Sequence, residues 1–222
     1  MKIGYFGGTF DPIHRGHLAV AKAAANRCGL DQVWFVPTDV PPHKPRQPVA
    51  GFIHRYAMVS LAVAESKDPR FVPSLLESPK HLRPRYSIDT IRRLKRRLGN
   101  RASVFFILGI DAFAEIGTWR KAEALLRECD FVVVSRPGFS LANVVQALPA
   151  GLQKHAPAHL PRASKLALQG VTIHLVNTVH VPISATKLRA ALGAHHRAAK
   201  LQKLVPRSVA DYIWKLKLYG AR

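Results

Sequence analysis

Five consecutive apolar residues, Val104-Phe105-Phe106-Ile107-Leu108, constrain the fold of this 222-residue chain more than any other stretch. As a strand they leave no polar face for water, so both sides must be covered, as in a parallel sheet flanked by helices. Related apolar, β-branched or aromatic runs predict strands over residues 2–6, 33–37, 71–75, 103–109, 131–135 and 172–176. Between them, helical spacing predicts helices over 16–28, 53–66, 87–98, 121–128, 184–192 and 207–217. This alternation implies an α/β fold: a Rossmann-like doubly wound parallel sheet in a single domain over 1–222, with a C-terminal helical segment at about 184–222 packed on it. Ligands of such sheets bind at the carboxyl ends of the strands. Residues 38–52, with four prolines, read as an active-site loop, whereas 138–170 give only weak helical pattern and no placement.

The first strand runs directly into Gly7-Gly8-Thr9-Phe10-Asp11-Pro12-Ile13-His14-Arg15-Gly16-His17-Leu18. Glycines let backbone amides approach an anion, and a helix start presents partial positive charge to phosphate. His14 and His17, three apart, can face one ligand within a single turn. The stretch reads as a triphosphate cradle with two imidazoles over it, against the plainer reading of a Gly-rich strand–helix turn with incidental histidines.

Four further stretches carry chemistry. Ser184 and Thr186, in Ile183-Ser184-Ala185-Thr186-Lys187-Leu188-Arg189, suit the cap and first turn of a helix, where hydroxyls can donate to phosphate. Arg189 can project a planar fork toward the same anion, although a capped helix with a surface arginine would look alike. Pro41-Pro42-His43-Lys44 is a stiffened loop presenting His43 and Lys44, a position where most lysines are simply solvated. Gly109-Ile110-Asp111 closes the fourth strand; a carboxylate there can accept from ribose hydroxyls, and the indole of Trp119 offers a flat face to a pyridine ring or simply packs on the sheet. Lastly, Arg92-Arg93-Leu94-Lys95-Arg96-Arg97 sits among Ile88, Ile91, Leu94 and Leu98, which places an apolar edge inward and the cations on a solvated face.

Gly-Gly-Thr-Phe-Asp-Pro-x-His-x-Gly-His resembles the HxGH nucleotidyltransferase superfamily, specifically its nicotinate-nucleotide adenylyltransferase branch. Ile183–Arg189, the Pro-Pro-His-Lys loop, the Gly-x-Asp…Trp pattern and the ending Val205-Pro206, Tyr212-Ile213, Leu218-Tyr219 are similar to that branch as well. The resemblance implies transfer of the adenylyl group of ATP to nicotinate mononucleotide, giving nicotinate adenine dinucleotide and pyrophosphate. It implies His14, His17, Lys44 and Arg189 as catalytic residues. Gly8, Thr9, Phe10, Asp111, Ser184 and Thr186 join His14, His17 and Arg189 in binding ATP. His43, Lys44, Tyr86, Ser87, Trp119 and Arg136 would bind the acceptor, with backbone amides at Tyr86-Ser87 meeting the nicotinate carboxylate. Mg²⁺ would be held mainly by ATP phosphates, since the chain has no dedicated carboxylate cluster for a metal. Nicotinamide mononucleotide and phosphopantetheine are rival acceptors. Ala185 departs from the common motif, and 139–170 match poorly.

The charge, 34 Lys and Arg against 13 Asp and Glu, favours polyanions in general. It suits nucleotides and would also suit a basic nucleic-acid-binding module, but no nucleic-acid motif accompanies it and no specific nucleic-acid partner is expected. Cys28 and Cys129 lack metal-ligand spacing and read as free thiols in a reducing compartment. No apolar run approaches the roughly 20 residues of a membrane span, and a strand beginning at residue 2 or 3 leaves no room for a signal peptide. The expectation is a cytoplasmic enzyme, for which a homo-oligomer is compatible with the sequence.

Overall fold

The computed structural model describes residues 1–39, 49–79, 86–135, 140–157, 164–177, 183–193 and 203–221. Strands β1 (Lys2–Gly8), β2 (Gln32–Pro37), β3 (Phe71–Pro73), β4 (Ser103–Gly109), β5 (Asp130–Val134), β6 (Lys165–Leu168) and β7 (Val171–Val176) form one sheet in the order β3-β2-β1-β4-β5-β7-β6. Pairs β1–β4, β4–β5 and β5–β7 are parallel. β6, absent from the sequence reading, pairs antiparallel with β7, so the sheet is mostly rather than wholly parallel. The helices are α1 (Arg15–Cys28), α2 (Phe52–Ser66), α3 (Ser87–Leu98), α4 (Ile110–Phe113), α5 (Ala122–Glu128), α6 (Leu141–Ala147), α7 (Ala150–Gln153), α8 (Ala185–Gly193) and α9 (Arg207–Lys215). Among the described residues, short 3-10 turns lie at Gly99–Arg101, Ile116–Thr118 and Leu218–Gly220.

Contacts divide the chain into two compact units, each discontinuous in sequence. The first comprises residues 1–6, 21–33 and 86–180. Its core is the continuous apolar run: Val104 through Leu108 are buried, and Phe106, Ile107 and Leu108 stand in register with buried Phe131, Val132 and Val133 of β5. Phe106 is the hub, its ring 4.9 Å from Tyr5, 5.4 Å from Phe131 and 6.1 Å from Trp119. A Cβ at Gly4 would come within 2.8 Å of Ile107 Cδ1, so this strand position has room for hydrogen alone unless its neighbours shift. On α3, Ile88, Ile91 and Leu94 are buried as their spacing predicts, while Leu98 is only half-buried. The basic face is less free than expected: Arg92 Nε and Lys95 Nζ pair with the Glu128 carboxylate of α5 at 2.7 and 3.0 Å. These charge-assisted contacts hold the Glu128 pKa below the usual glutamate range against the opposing effect of burial.

The second unit comprises residues 7–20, 34–85 and 181–222. Phe35 is its aromatic centre, 5.9 Å from Phe10 and 5.2 Å from Phe71. α2 packs against α9; Met58, Val59 and Ala62 of the one and Val209, Ala210 and Ile213 of the other are buried. The Glu65 carboxylate accepts from the backbone N–H groups of Arg207 and Ser208 at 2.9 and 2.7 Å. A carboxylate from one helix thus satisfies the open N-terminus of the next.

Candidate functional site

The end of β1 leads into a tightly determined loop. Gly8 accepts a backbone hydrogen bond from Thr38 at 2.9 Å, and a Cβ at Gly8 would lie 3.1 Å from the Phe10 ring. Packing of Phe10 is therefore a reason for this glycine, alongside any anion. Phe10 is buried with φ 47°, a left-handed conformation uncommon for an aromatic residue, and its ring lies edge-on to His17 at 5.1 Å.

His14 directly precedes α1, and its carbonyl accepts from His17 N and Leu18 N at 2.9 and 3.4 Å. In return His17 Nδ1 accepts the backbone N–H of His14 at 3.2 Å. The side chain of the third helical residue thus caps the helix start, as in a capping box. Because Nδ1 accepts, the proton of a neutral His17 ring sits on Nε2. The two imidazoles stack with centroids 3.7 Å apart and planes 20° from parallel. Burial lowers the His14 pKa to about 4 and that of His17 well below its usual value, with His14 adding repulsion to the latter. Both rings are accordingly neutral at pH 7, each able to donate one N–H. His14 Nδ1 is buried with no partner among the described residues, a polar atom that a bound ligand can satisfy.

Two residues that carry no weight in the sequence reading organise this loop. The Asp11 carboxylate, 4% exposed, accepts from Val49 N, Ala50 N and the Tyr219 hydroxyl at 2.9, 3.2 and 2.7 Å. Arg55, 1% exposed, donates to four backbone carbonyls: Thr9 at 2.8 Å, Thr38 at 2.6 Å, Asp39 at 3.1 Å and Ala50 at 3.0 Å. Burial pulls its pKa below the usual arginine value, against Asp11 and Asp39, but a guanidinium remains charged.

The second motif meets the first through Arg189. Arg189 Nη1 donates to the Asp11 carbonyl at 2.6 Å and stands 3.9 Å from its carboxylate; Nη2 is 3.5 Å from Thr186 Oγ1. Ser184 directly precedes α8 and accepts from Leu188 N at 2.9 Å. The Ser184 and Thr186 side chains are exposed, and Arg189 is half-buried.

Gly109, Asp111, Trp119, Tyr86 and Ser87 belong to the first unit. Gly109 ends β4 and Asp111 is exposed on the first turn of α4. Trp119 follows the 3-10 turn Ile116–Thr118, half-buried beside Phe106, and Arg120 lies 4.4 Å over the Tyr86 ring. Tyr86 caps α3: its carbonyl accepts from Asp89 N and Thr90 N at 3.0 and 3.2 Å, and Ser87 is the first helical residue. His43, Lys44 and Arg136 lie outside the described residues. Among the described residues no group of three or more His, Cys, Asp and Glu side chains is disposed to hold a metal ion, and no helix is long and apolar enough to cross a membrane.

A glycine-rich strand end, paired imidazoles at a helix start and an arginine on a second helix thus come together at the carboxyl end of β1, where sheets of this Rossmann-like class bind their ligands. The cytidylyltransferase-like family model matches residues 5–191. A protein from Citrifermentans bemidjiense named probable nicotinate-nucleotide adenylyltransferase is 36% identical over 99% of this chain and 98% of its own length. One from Salinispora tropica, similarly named, is 38% identical over 96% of this chain and 98% of its own. The chain belongs to the cytidylyltransferase-like family and, within it, to the nicotinate-nucleotide adenylyltransferases. In fold it matches Plasmodium falciparum nicotinic acid mononucleotide adenylyltransferase complexed with NaAD, with a TM-score of 0.76, 22% identity, and coverage of 100% of this chain and 98% of that one.

Proposed function

We propose that this chain transfers the adenylyl group of ATP to nicotinate mononucleotide, forming nicotinate adenine dinucleotide and pyrophosphate, and that it does so in the cytoplasm. The observation that carries the reading is the neutral, stacked His14–His17 pair at the head of α1, with Arg189 tied to the same loop. Full-length relatives bearing the corresponding enzyme name support it.

The 5′-phosphate of the mononucleotide attacks the α-phosphorus of ATP, a P–O bond forms, and the bond to the β-phosphate breaks to release pyrophosphate. The attacking phosphate is already anionic, so no residue is needed as a general base. What the chain supplies is alignment and stabilisation of charge spreading over the α-phosphate and the leaving group. Neutral imidazoles suit that task because each N–H donor is aimed by burial and needs no proton from solvent. In this proposal His14 and His17 donate to phosphate oxygens, Gly8, Thr9 and Phe10 offer main-chain contacts, and Ser184, Thr186, Arg189 and Lys44 hold the triphosphate. Asp111 takes the ATP ribose. Trp119, the Tyr86-Ser87 amides, His43 and Arg136 take the acceptor. Mg²⁺ enters as part of the Mg·ATP substrate, bound by phosphate oxygens and water.

Pyrophosphate release from Mg·ATP, with nicotinate and nicotinamide mononucleotides offered separately, tests both reaction and branch. Fast turnover with nicotinate alone is the expected outcome. Equal turnover with nicotinamide overturns the specificity, and no release with either overturns the acceptor.

A further inference from the structure

The final turn of the described chain places an aromatic hydroxyl on the motif loop. Tyr219 lies at φ 58°, ψ 24° within Leu218–Gly220, followed by Gly220 at φ 75°. A tyrosine rarely adopts the left-handed region, and local sequence gives no reason for it here. Its side chain supplies one: the hydroxyl donates to Asp11 Oδ1 at 2.7 Å across 208 residues of sequence. Burial, then the Asp11 carboxylate, push the phenol pKa upward, so it stays protonated and remains a donor. The turn also packs against α8, the helix that carries Arg189.

We infer that Tyr219 is a positioning residue for adenylyl transfer: its hydroxyl holds Asp11, and Asp11 holds both the histidine-bearing loop and Arg189. The inference rests on the proposed function for its kinetic consequence. Oδ1 receives two donors, Tyr219 and the longer contact from Ala50 N; Oδ2 receives Val49 N and faces Arg189. Removing the phenol oxygen leaves Oδ1, among the described residues, with the 3.2 Å contact from Ala50 N. The carboxylate must then rotate or draw another donor, and Arg189 follows because it bonds the Asp11 carbonyl. His14 lies three residues further along the same loop, so its ring shifts with it.

The test compares Tyr219→Phe, Asp11→Asn and the double variant in the full-length protein by three readouts. These are kcat and KM for pyrophosphate release, calorimetric binding of a non-hydrolysable ATP analogue, and the ring-nitrogen NMR signals of His14 and His17. Tyr219→Phe should lower kcat by roughly tenfold or more, within the range that sub-ångström misplacement produces. It should also move the histidine signals while the protein melts cooperatively. The double variant should lose no more than Asp11→Asn alone, because both act through one carboxylate. Unchanged kcat, analogue affinity and histidine signals, with only a lower melting temperature, would reduce Tyr219 to a structural residue. Losses that multiply in the double variant would also overturn the inference. Should Tyr219→Phe not fold, Asp11→Asn alone must move the histidine signals, and their constancy counts against the network. Should wild type fail to turn over nicotinate mononucleotide, the proposed acceptor falls, while analogue binding and histidine signals still decide the positioning role.

Discussion

Around Asp11 polar groups are fastened by hydrogen bonds; around Trp119 the described contacts include a tilted ring pair and a cation over a ring. In the first region a carboxylate, two guanidiniums, a phenol and the His17 imidazole make hydrogen bonds that reach from Thr9 to Tyr219, and the His14 ring stacks on His17. In the second, Arg120 lies over Tyr86 and Trp119 leans toward Phe106, while Asp111 is exposed. The difference matches the chemistry proposed for each. Charge that develops on phosphate oxygens is best met by donors fixed beforehand, whose reorientation would otherwise raise the barrier. A pyridine ring needs a surface to lie on, and stacking tolerates small errors of angle.

Substitution should break this contrast most sharply at His17. His17→Ala should cost about 10²–10³-fold in kcat, the usual worth of a transition-state donor, with far less disturbance of folding. Steady-state kinetics beside a urea melt separates the two, and a variant with near-full kcat would remove His17 from the chemistry. The pH dependence of stability sharpens the same side. The folded pKa of His14 is about 4, below its unfolded value near 6.5, so the unfolded state takes up protons first as pH falls. Stability is thus full above about pH 6.5 and is lost toward pH 4, by on the order of 3 kcal/mol from this group. Urea unfolding of wild type and His14→Gln across that window should show the variant losing less on acidification; parallel curves would contradict a neutral, buried His14. The smallest effect belongs to the stacking side. Trp119→Ala should raise KM for the mononucleotide roughly three- to tenfold, about the 0.5–1.5 kcal/mol of a ring contact, and leave the KM for ATP near its original value. Equal weakening of both substrates would mean that Trp119 serves the site as a whole.

Continuous apolar runs made the central strands readable, because burial on both faces leaves a signal in every residue. Lys165–Leu168 carried no such signal: an edge strand alternates, and four residues of alternation resemble a loop. α6 and α7, seven and four residues long, are too short for helical periodicity to emerge. The histidines and Arg189 stood out because their chemistry is local to a motif. Arg55 and Tyr219 did not, because their partners are backbone oxygens and a carboxylate distant in sequence. Asp11 was visible inside the motif, but nothing in its neighbours announced the donors that converge on it.

Among the described residues the hydrogen bonds of Arg55 go to main-chain oxygen, and this has a consequence for how the surrounding sequence can change. The carbonyls of residues 9, 38, 39 and 50 are offered by any amino acid placed there, whatever its side chain. Those positions can therefore drift chemically without loosening the clasp, provided the backbone keeps its path, while position 55 itself admits almost no substitute: lysine has no planar fork with which to serve four acceptors. The tolerance of four positions is secured by the intolerance of one.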